Sequence, residues 1–198
     1  MSARFVEPVT LKGRHVLIEP LRLDHESDIR TAVADGELWQ LWYTSVPAPD
    51  KTRGYIETAL AQCESQGWMP FVVRDGGGTV IGSTRYCNVD AVHRRVEIGY
   101  TWYAKRAQRT AVNTECKLLL LTHAFETLDC IAVEFRTHFF NFASRQAIAR
   151  LGAKQDGILR NHQVMPDGTL RDTVVFSIIA PEWPTVKRHL AFRLERPC

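Results

Sequence analysis

The chain has 198 residues, enough for one domain with a substantial core. It is 45% hydrophobic and 24% charged, an ordinary balance for a globular protein in water. Its net charge of +3 is mild and spread along the chain, which argues against a nucleic-acid partner, and no apolar run approaches the ~20 residues of a membrane span. The start, MSARFVEPVTLKG, lacks the apolar core of a secretion signal, so a cytoplasmic protein is expected. Cys63, Cys87, Cys116, Cys130 and Cys198 show no C-x-x-C spacing, which points to reduced thiols rather than a zinc site or a disulfide framework.

HVLIEPL near the start reads as a strand, and Asp24 as the cap of a helix running through Ile29 and Val33. TRGYIETALAQCESQG is a second helix, closed by Gly67. PFVVRD and VIGSTRYCNV flank Gly76-Gly77-Gly78 and predict a hairpin. In RRVEIGYTWY, simple alternation puts Val96, Ile98, Tyr100 and Trp102 on one face and Glu97, Gly99 and Thr101 on the other. A basic turn follows, and then a helix from Val112 to Leu128 with Thr110 as its N-cap. IAVEFRTHF is a strand, and FASRQAIARLG is a short helix closed by Gly152. GILRNHQV and LRDTVVFSII form a hairpin about Pro166-Asp167-Gly168, and WPTVKRHLAFRLE is the last helix. This order predicts an α+β chain, a single domain over 1–198. Its sheet is mixed, with helices on both faces. The absence of G-x-G-x-x-G and G-K-[ST] excludes dinucleotide and P-loop folds.

The turn and helix start, KRAQRTAVNTECK, follow a strand directly. N–H groups from about Arg109 to Asn113 are free to meet an anion, with Arg106, Gln108 and Arg109 beside them; the same residues also fit a solvated charged helix start. Glu97 is a general-base candidate if its face looks into a cleft, and otherwise a surface partner of Arg94 or Arg95. Ser144 shares a helical stripe with Ala147, Ile148 and Leu151, so its hydroxyl meets either local backbone or a ligand; Asn141 either caps that helix or faces the same ligand. Trp39, Trp42, Trp68 and Tyr86 line a substrate mouth or fill the core. The histidines show no metal spacing, and no metal site is expected.

VEIGYTWYAKRAQRTAVNTECKLLLLTHAFETL, NFASRQAIARLGA and GILRNHQVMPDGTLRDTVVFSII together resemble the GNAT N-acetyltransferase superfamily, and within it the ribosomal-protein N-terminal acetyltransferases. That family's acyl-CoA loop has the form [QR]-x-x-G-x-[GA]. Arg106-Ala107-Gln108-Arg109-Thr110-Ala111 matches its first and last positions and departs at the central glycine, which is Arg109. N-x-x-S-x-x-x-I-x-x-L-G follows at Asn141 to Gly152.

The resemblance implies a mostly antiparallel mixed sheet and transfer of an acetyl group from acetyl-CoA to an amine, either a protein N-terminus or a small molecule. It implies coenzyme A contacts from Ile98, Tyr100, Thr101 and Trp102, from Arg106 and Gln108 through Thr114 (Arg109, Thr110, Ala111, Val112 and Asn113 included), and from Asn141 and Ser144. Glu97 would be the base acting through water, Ser144 a hydrogen-bond donor to the leaving sulfur, and Trp39, Trp42 and Tyr86 the acceptor side. Arg109 either contacts a phosphate or crowds the loop. A homodimer is implied by the resemblance alone. The competing expectation is an acyl-CoA-binding sensor without efficient catalysis.

Overall fold

The computed structural model describes residues 4–195. Among them, eight strands form one sheet in the order β1-β2-β3-β4-β5-β6-β8-β7. The strands are β1 (Leu11–Lys12), β2 (Val16–Pro20), β3 (Met69–Asp75), β4 (Val80–Asp90), β5 (Arg95–Tyr103), β6 (Ala132–His138), β7 (Lys154–Val164) and β8 (Leu170–Ile179). Helices α1 (Glu26–Ala34), α2 (Thr52–Gln66), α3 (Ala111–Thr122), α4 (Phe142–Ala149) and α5 (Trp183–Glu195) complete it. All neighbouring strands are antiparallel except β5 and β6. This is the mixed, mostly antiparallel sheet expected from the sequence.

Apolar residues on opposite faces of the sheet make two cores. On one face Val96, Ile98, Phe135 and Phe176 pack with Cys116, Leu120 and Leu121 of α3 and Val186 and Leu190 of α5. On the other, Val72, Val80 and Trp102 pack with Ile29 and Val33 of α1 and Ile56 and Ala59 of α2. Simple alternation along β5 fails at Tyr100. Ser83 pairs with Trp102 and Arg85 with Gly99, so Tyr100 and Thr101 together oppose Thr84. Tyr100 takes a left-handed φ of 53°, the signature of a bulge that inserts one residue. The insertion moves Trp102 to the face opposite Val96 and Ile98, and turns Thr101 towards α3.

Three further expectations are corrected. Asp24 does not cap α1; it lies in a 3-10 turn, Leu23–His25, held by Arg22, and α1 starts at Glu26. The helix predicted over Val112 to Leu128 is α-helical to Thr122 and continues over His123–Thr127 as a wider π turn. Tyr86 belongs to the core: its ring is fully buried against Phe71 and its hydroxyl donates to the Leu120 carbonyl, so it cannot touch a substrate. The two-residue β1 was too short to show periodicity.

Helix α3 carries two buried charges. Glu115 accepts the backbone N–H groups of Arg14 (2.9 Å), His15 (2.6 Å) and Val16 (2.9 Å), which ties the β1–β2 turn to the helix. A Cβ on Gly13 would fall onto that carboxylate. Lys117 meets no carboxylate among the described residues; its Nζ donates to Thr101 Oγ1 at 2.6 Å, and Thr101 and Thr84 bond each other. Burial pulls its pKa from 10.5 down to about 8. Above pH 10.5 the residue is neutral whether folded or unfolded, and no penalty applies. Between pH 10.5 and 8 the unfolded chain binds the proton better, so stability falls as pH falls, and below 8 the full penalty is present. Lys117→Met should therefore raise stability at pH 7 by on the order of 3 kcal/mol, with the gain shrinking towards pH 10. Urea denaturation of both proteins across that range checks it.

Candidate active site

Strands β5 and β6 run parallel, yet they pair only at Arg95↔Ala132, Val96↔Val133 and Glu97↔Glu134. Beyond Glu97 no described residue of β6 pairs with β5, although both strands continue. The two strands therefore part like a V, and the β6-facing backbone edge from Ile98 to Tyr103 is left without a sheet partner. The Tyr100 bulge lies on this open edge. The side chain of Ile98 faces the α3 core and that of Trp102 the α1–α2 core, so these two can meet a ligand through backbone alone.

The loop after β5 leads to the start of α3. Thr110 caps the helix as expected: its Oγ1 accepts from Val112 N and donates to the Ala107 carbonyl. Gln108 Nε2 donates to the Tyr103 carbonyl and pins the loop to β5. Among the described residues, the N–H groups of Arg109, Thr110 and Ala111 meet no acceptor. Free N–H groups at a helix start, with the positive end of its dipole, form an anion cradle. Arg106 does not face it; its guanidinium lies on Asp35, with Nη1 at 3.0 Å, and on the Val80 carbonyl. Arg109 is exposed and takes a left-handed φ of 60°. This is the position where the family loop has glycine, and the backbone conformation explains why.

Glu97 stands where the V opens. It is 6% exposed, and Asn88 Nδ2 donates to its Oε2 at 2.6 Å, with Arg136 Nε 3.5 Å from the same oxygen. The expected surface partners are engaged elsewhere, Arg94 with Asp129 and Arg95 with Glu134. Burial raises the Glu97 pKa, opposed by the Asn88 hydrogen bond and the charge of Arg136. A Cβ on Gly99 would come within 2.9 Å of Glu97 Oε1 and of Cys87 Sγ, so the glycine makes room for the carboxylate.

Asn141 caps α4 by accepting the Ser144 N–H at 3.0 Å. The Ser144 hydroxyl is half-buried and makes no hydrogen bond among the described residues. The segment after α1 brings Trp42 and Tyr43 to His138, the last residue of β6. There Trp42, 54% exposed, packs edge-on against His138 at 4.8 Å and beside Phe140, whereas Trp39 packs on the α1–α2 core. Residues not anticipated from the sequence complete this side. A pocket of about 540 Å³ lies between α2 and the sheet, lined by Tyr55, Thr58, Gln62, Arg85 and Tyr100. No motif marks Arg85; a cation inside an otherwise uncharged strand, VIGSTRYCNV, was the available signal.

Residues 15–154 match the family described as an acetyltransferase (GNAT) domain. The match spans well over half of the chain, which therefore belongs to the GNAT acetyltransferase family. A relative in Bacillus subtilis (strain 168), "Putative ribosomal N-acetyltransferase YdaF", is 32% identical over 106 residues, which cover 54% of this chain and 57% of that protein's length. A GCN5-related N-acetyltransferase from Brucella melitensis superposes with a TM-score of 0.84 at 28% identity, covering 96% of this chain and 86% of the other. Mycobacterium smegmatis RimJ, solved in complex with CoA-disulfide, has the same fold, with a TM-score of 0.77 at 22% identity over 94% of this chain and 95% of RimJ.

Arg109→Gly should raise folding stability by about 1 kcal/mol, because glycine adopts a left-handed φ without the side-chain clash. A higher urea midpoint with an unchanged slope is the expected result.

Proposed function

We propose that the whole chain acts as one N-acetyltransferase domain, moving an acetyl group from acetyl-CoA to a primary amine by direct attack on the thioester. The observation that carries this reading is the parting of β5 and β6 directly after Glu97. It leaves an unpaired backbone edge between a buried carboxylate and a helix start with free N–H groups. The fit to acetyl-CoA rests on the same features. Arg109, Thr110 and Ala111 would offer backbone donors to the pyrophosphate, with Val112, Asn113 and Thr114 forming the helix turn behind them. RimJ, of the same fold, was solved with a coenzyme A disulfide.

In this reading the acceptor amine enters from the pocket side. Glu97, through a water, takes its proton, and a carboxylate whose basicity is raised by burial suits that task. The amine nitrogen forms a bond to the thioester carbon, and an N–H of the open edge near Ile98 to Tyr100 receives the carbonyl oxygen's developing charge. The carbon–sulfur bond then breaks. The Ser144 hydroxyl, which has no partner among the described residues, donates a hydrogen bond to the leaving thiolate, and Asn141 holds the helix that carries it. Trp42 flanks the acceptor.

The likeness to a protein described as a putative ribosomal N-acetyltransferase supports an amine of a ribosomal protein as acceptor, and we place it at the protein's N-terminus. Among the described residues no helix is long and apolar enough to cross a membrane, and a cytoplasmic site of action, where acetyl-CoA and new N-termini are available, belongs to the same proposal. So does assembly as a homodimer.

Calorimetric titration with acetyl-CoA, followed by an amine-dependent assay for free thiol, tests the reading. Saturable binding with thiol release supports it; binding without release on any amine favours the sensor; no binding removes both. Glu97→Gln should lower kcat roughly 10²- to 10⁴-fold with little change in acetyl-CoA affinity, and should abolish the acidic limb of the kcat/KM profile, which in the wild type lies above the usual glutamate range. Ser144→Ala should lower kcat by roughly tenfold, the scale of one hydrogen bond.

A further inference from the structure

The pocket between α2 and the sheet contains Arg85, a cation without a counter-ion among the described residues. Arg85 is 2% exposed, yet no carboxylate of the described residues lies within ion-pair range of its guanidinium. Nη1 donates to Gln62 Oε1 at 2.8 Å, and the planar group sits 4.4 Å from the ring centre of Tyr100 and 4.8 Å from that of Tyr55. Nε is buried and has no hydrogen-bond partner. One amide oxygen and two aromatic faces are weak recompense for a desolvated guanidinium, whose fork of donors matches a carboxylate.

The protein holds this arrangement in place. Tyr55 is anchored by Trp102 Nε1 and by Ser83, which in turn donates to the Phe71 carbonyl. Arg85 pairs with Gly99 and Cys87 with Glu97, so the side chain of Arg85 leaves the same face as Glu97, two residues or about 7 Å along the strand. Arg171 adds a second cation to this face. It is half-buried, donates from Nε to Thr173 Oγ1, and feels the charge of Glu97, but no carboxylate of the described residues lies within ion-pair range of it. Of the acids on this face, Glu134 is taken by Arg95 and Arg136, and Glu97 is held by Asn88 and Arg136; Asp50, which also lines the pocket, is paired with Lys51 at 3.5 Å and is not within ion-pair range of Arg85.

The geometry points to an acceptor that carries a carboxylate a few bonds from its amine, bound by Arg85 between the Tyr55 and Tyr100 rings. This inference rests on the acetyl-transfer reading and specifies its substrate. The carboxylate has two sources: the side chain of an acidic N-terminal residue, or the α-carboxylate of a free amino acid.

Three acceptors separate them: glutamate α-amide, glutamine α-amide and free glutamine, which carry a side-chain carboxylate, none, and an α-carboxylate. The expected result is a kcat/KM at least tenfold higher for one carboxylate-bearing acceptor than for glutamine α-amide. A preference for glutamate α-amide identifies an acidic N-terminal residue, and one for free glutamine identifies an amino acid. In Arg85→Gln the ratio should fall towards one, and Arg85→Lys should restore part of it. Equal rates for all three in the wild type would overturn the inference while leaving acetyl transfer intact. If none is acetylated, calorimetry with the three N-acetylated products decides the matter without catalysis. Tenfold tighter binding of a carboxylate-bearing product, lost in Arg85→Gln, supports the anion site, and equal binding overturns it. The wild-type comparisons stand even if the variants fail to fold.

Discussion

The rest of the site follows from one constraint, the failure of two parallel strands to stay paired. β5 and β6 share three residue pairs and then separate, and Glu97 is the last residue of β5 before the separation. The left-handed Tyr100 makes the change of direction abrupt and moves every later side chain of β5 to the opposite face. A sheet normally satisfies its own N–H and C=O groups, so an interior edge left open needs another partner. Under the proposed function that partner would be the polar arm of acetyl-CoA. The same departure sets the helix start of α3 at the mouth of the gap, because the loop from Tyr103 to Thr110 is short and pinned at both ends.

Buried charge is distributed unevenly around that opening. Glu115 has three backbone donors and is fully employed in joining α3 to the first strands. Glu97 has one amide donor and a loosely placed arginine, which leaves it partly available for proton transfer. Arg85 has less than it can accommodate, and Lys117 has two threonine hydroxyls and no carboxylate among the described residues. The groups with incomplete shells, Glu97 and Arg85, share one face of the sheet, and the pocket opens on that face. A structural buried charge collects all its partners from the fold, whereas a functional one keeps a place for something that arrives later.

Much of this was legible in the sequence. Elements bounded by turn residues, such as α2 with Gly67 and the hairpin around Pro166-Asp167-Gly168, came out where glycine and proline chemistry put them. The capping role of Thr110 was legible because it is local, as was the basic loop before α3. The bulge was not, because alternation is the only signal a strand gives and an inserted residue leaves no mark in composition. Tyr86 was misplaced for a related reason: an aromatic residue in a strand fits a core or a substrate mouth equally well, and the choice was made by the distant Leu120 carbonyl. Arg85 could be found only once α2 was known to lay Gln62 and Tyr55 over it. What was illegible was in each case a contact between residues far apart in the chain.

The bond between Glu115 and the β1–β2 turn has a consequence for the order in which the molecule is built. Its donor and acceptor lie 99 to 101 residues apart, while β2, β3, β4 and β5 pair with successive neighbours. A chain emerging at roughly 5–20 residues per second therefore makes the amides of Arg14, His15 and Val16 many seconds before their acceptor exists. Until α3 is complete these amides have only water, and the opening strands remain provisional. The helix whose start bears the free N–H groups is thus also the one that closes the amino-terminal end of the sheet, so the first strands and the anion cradle are completed by the same element.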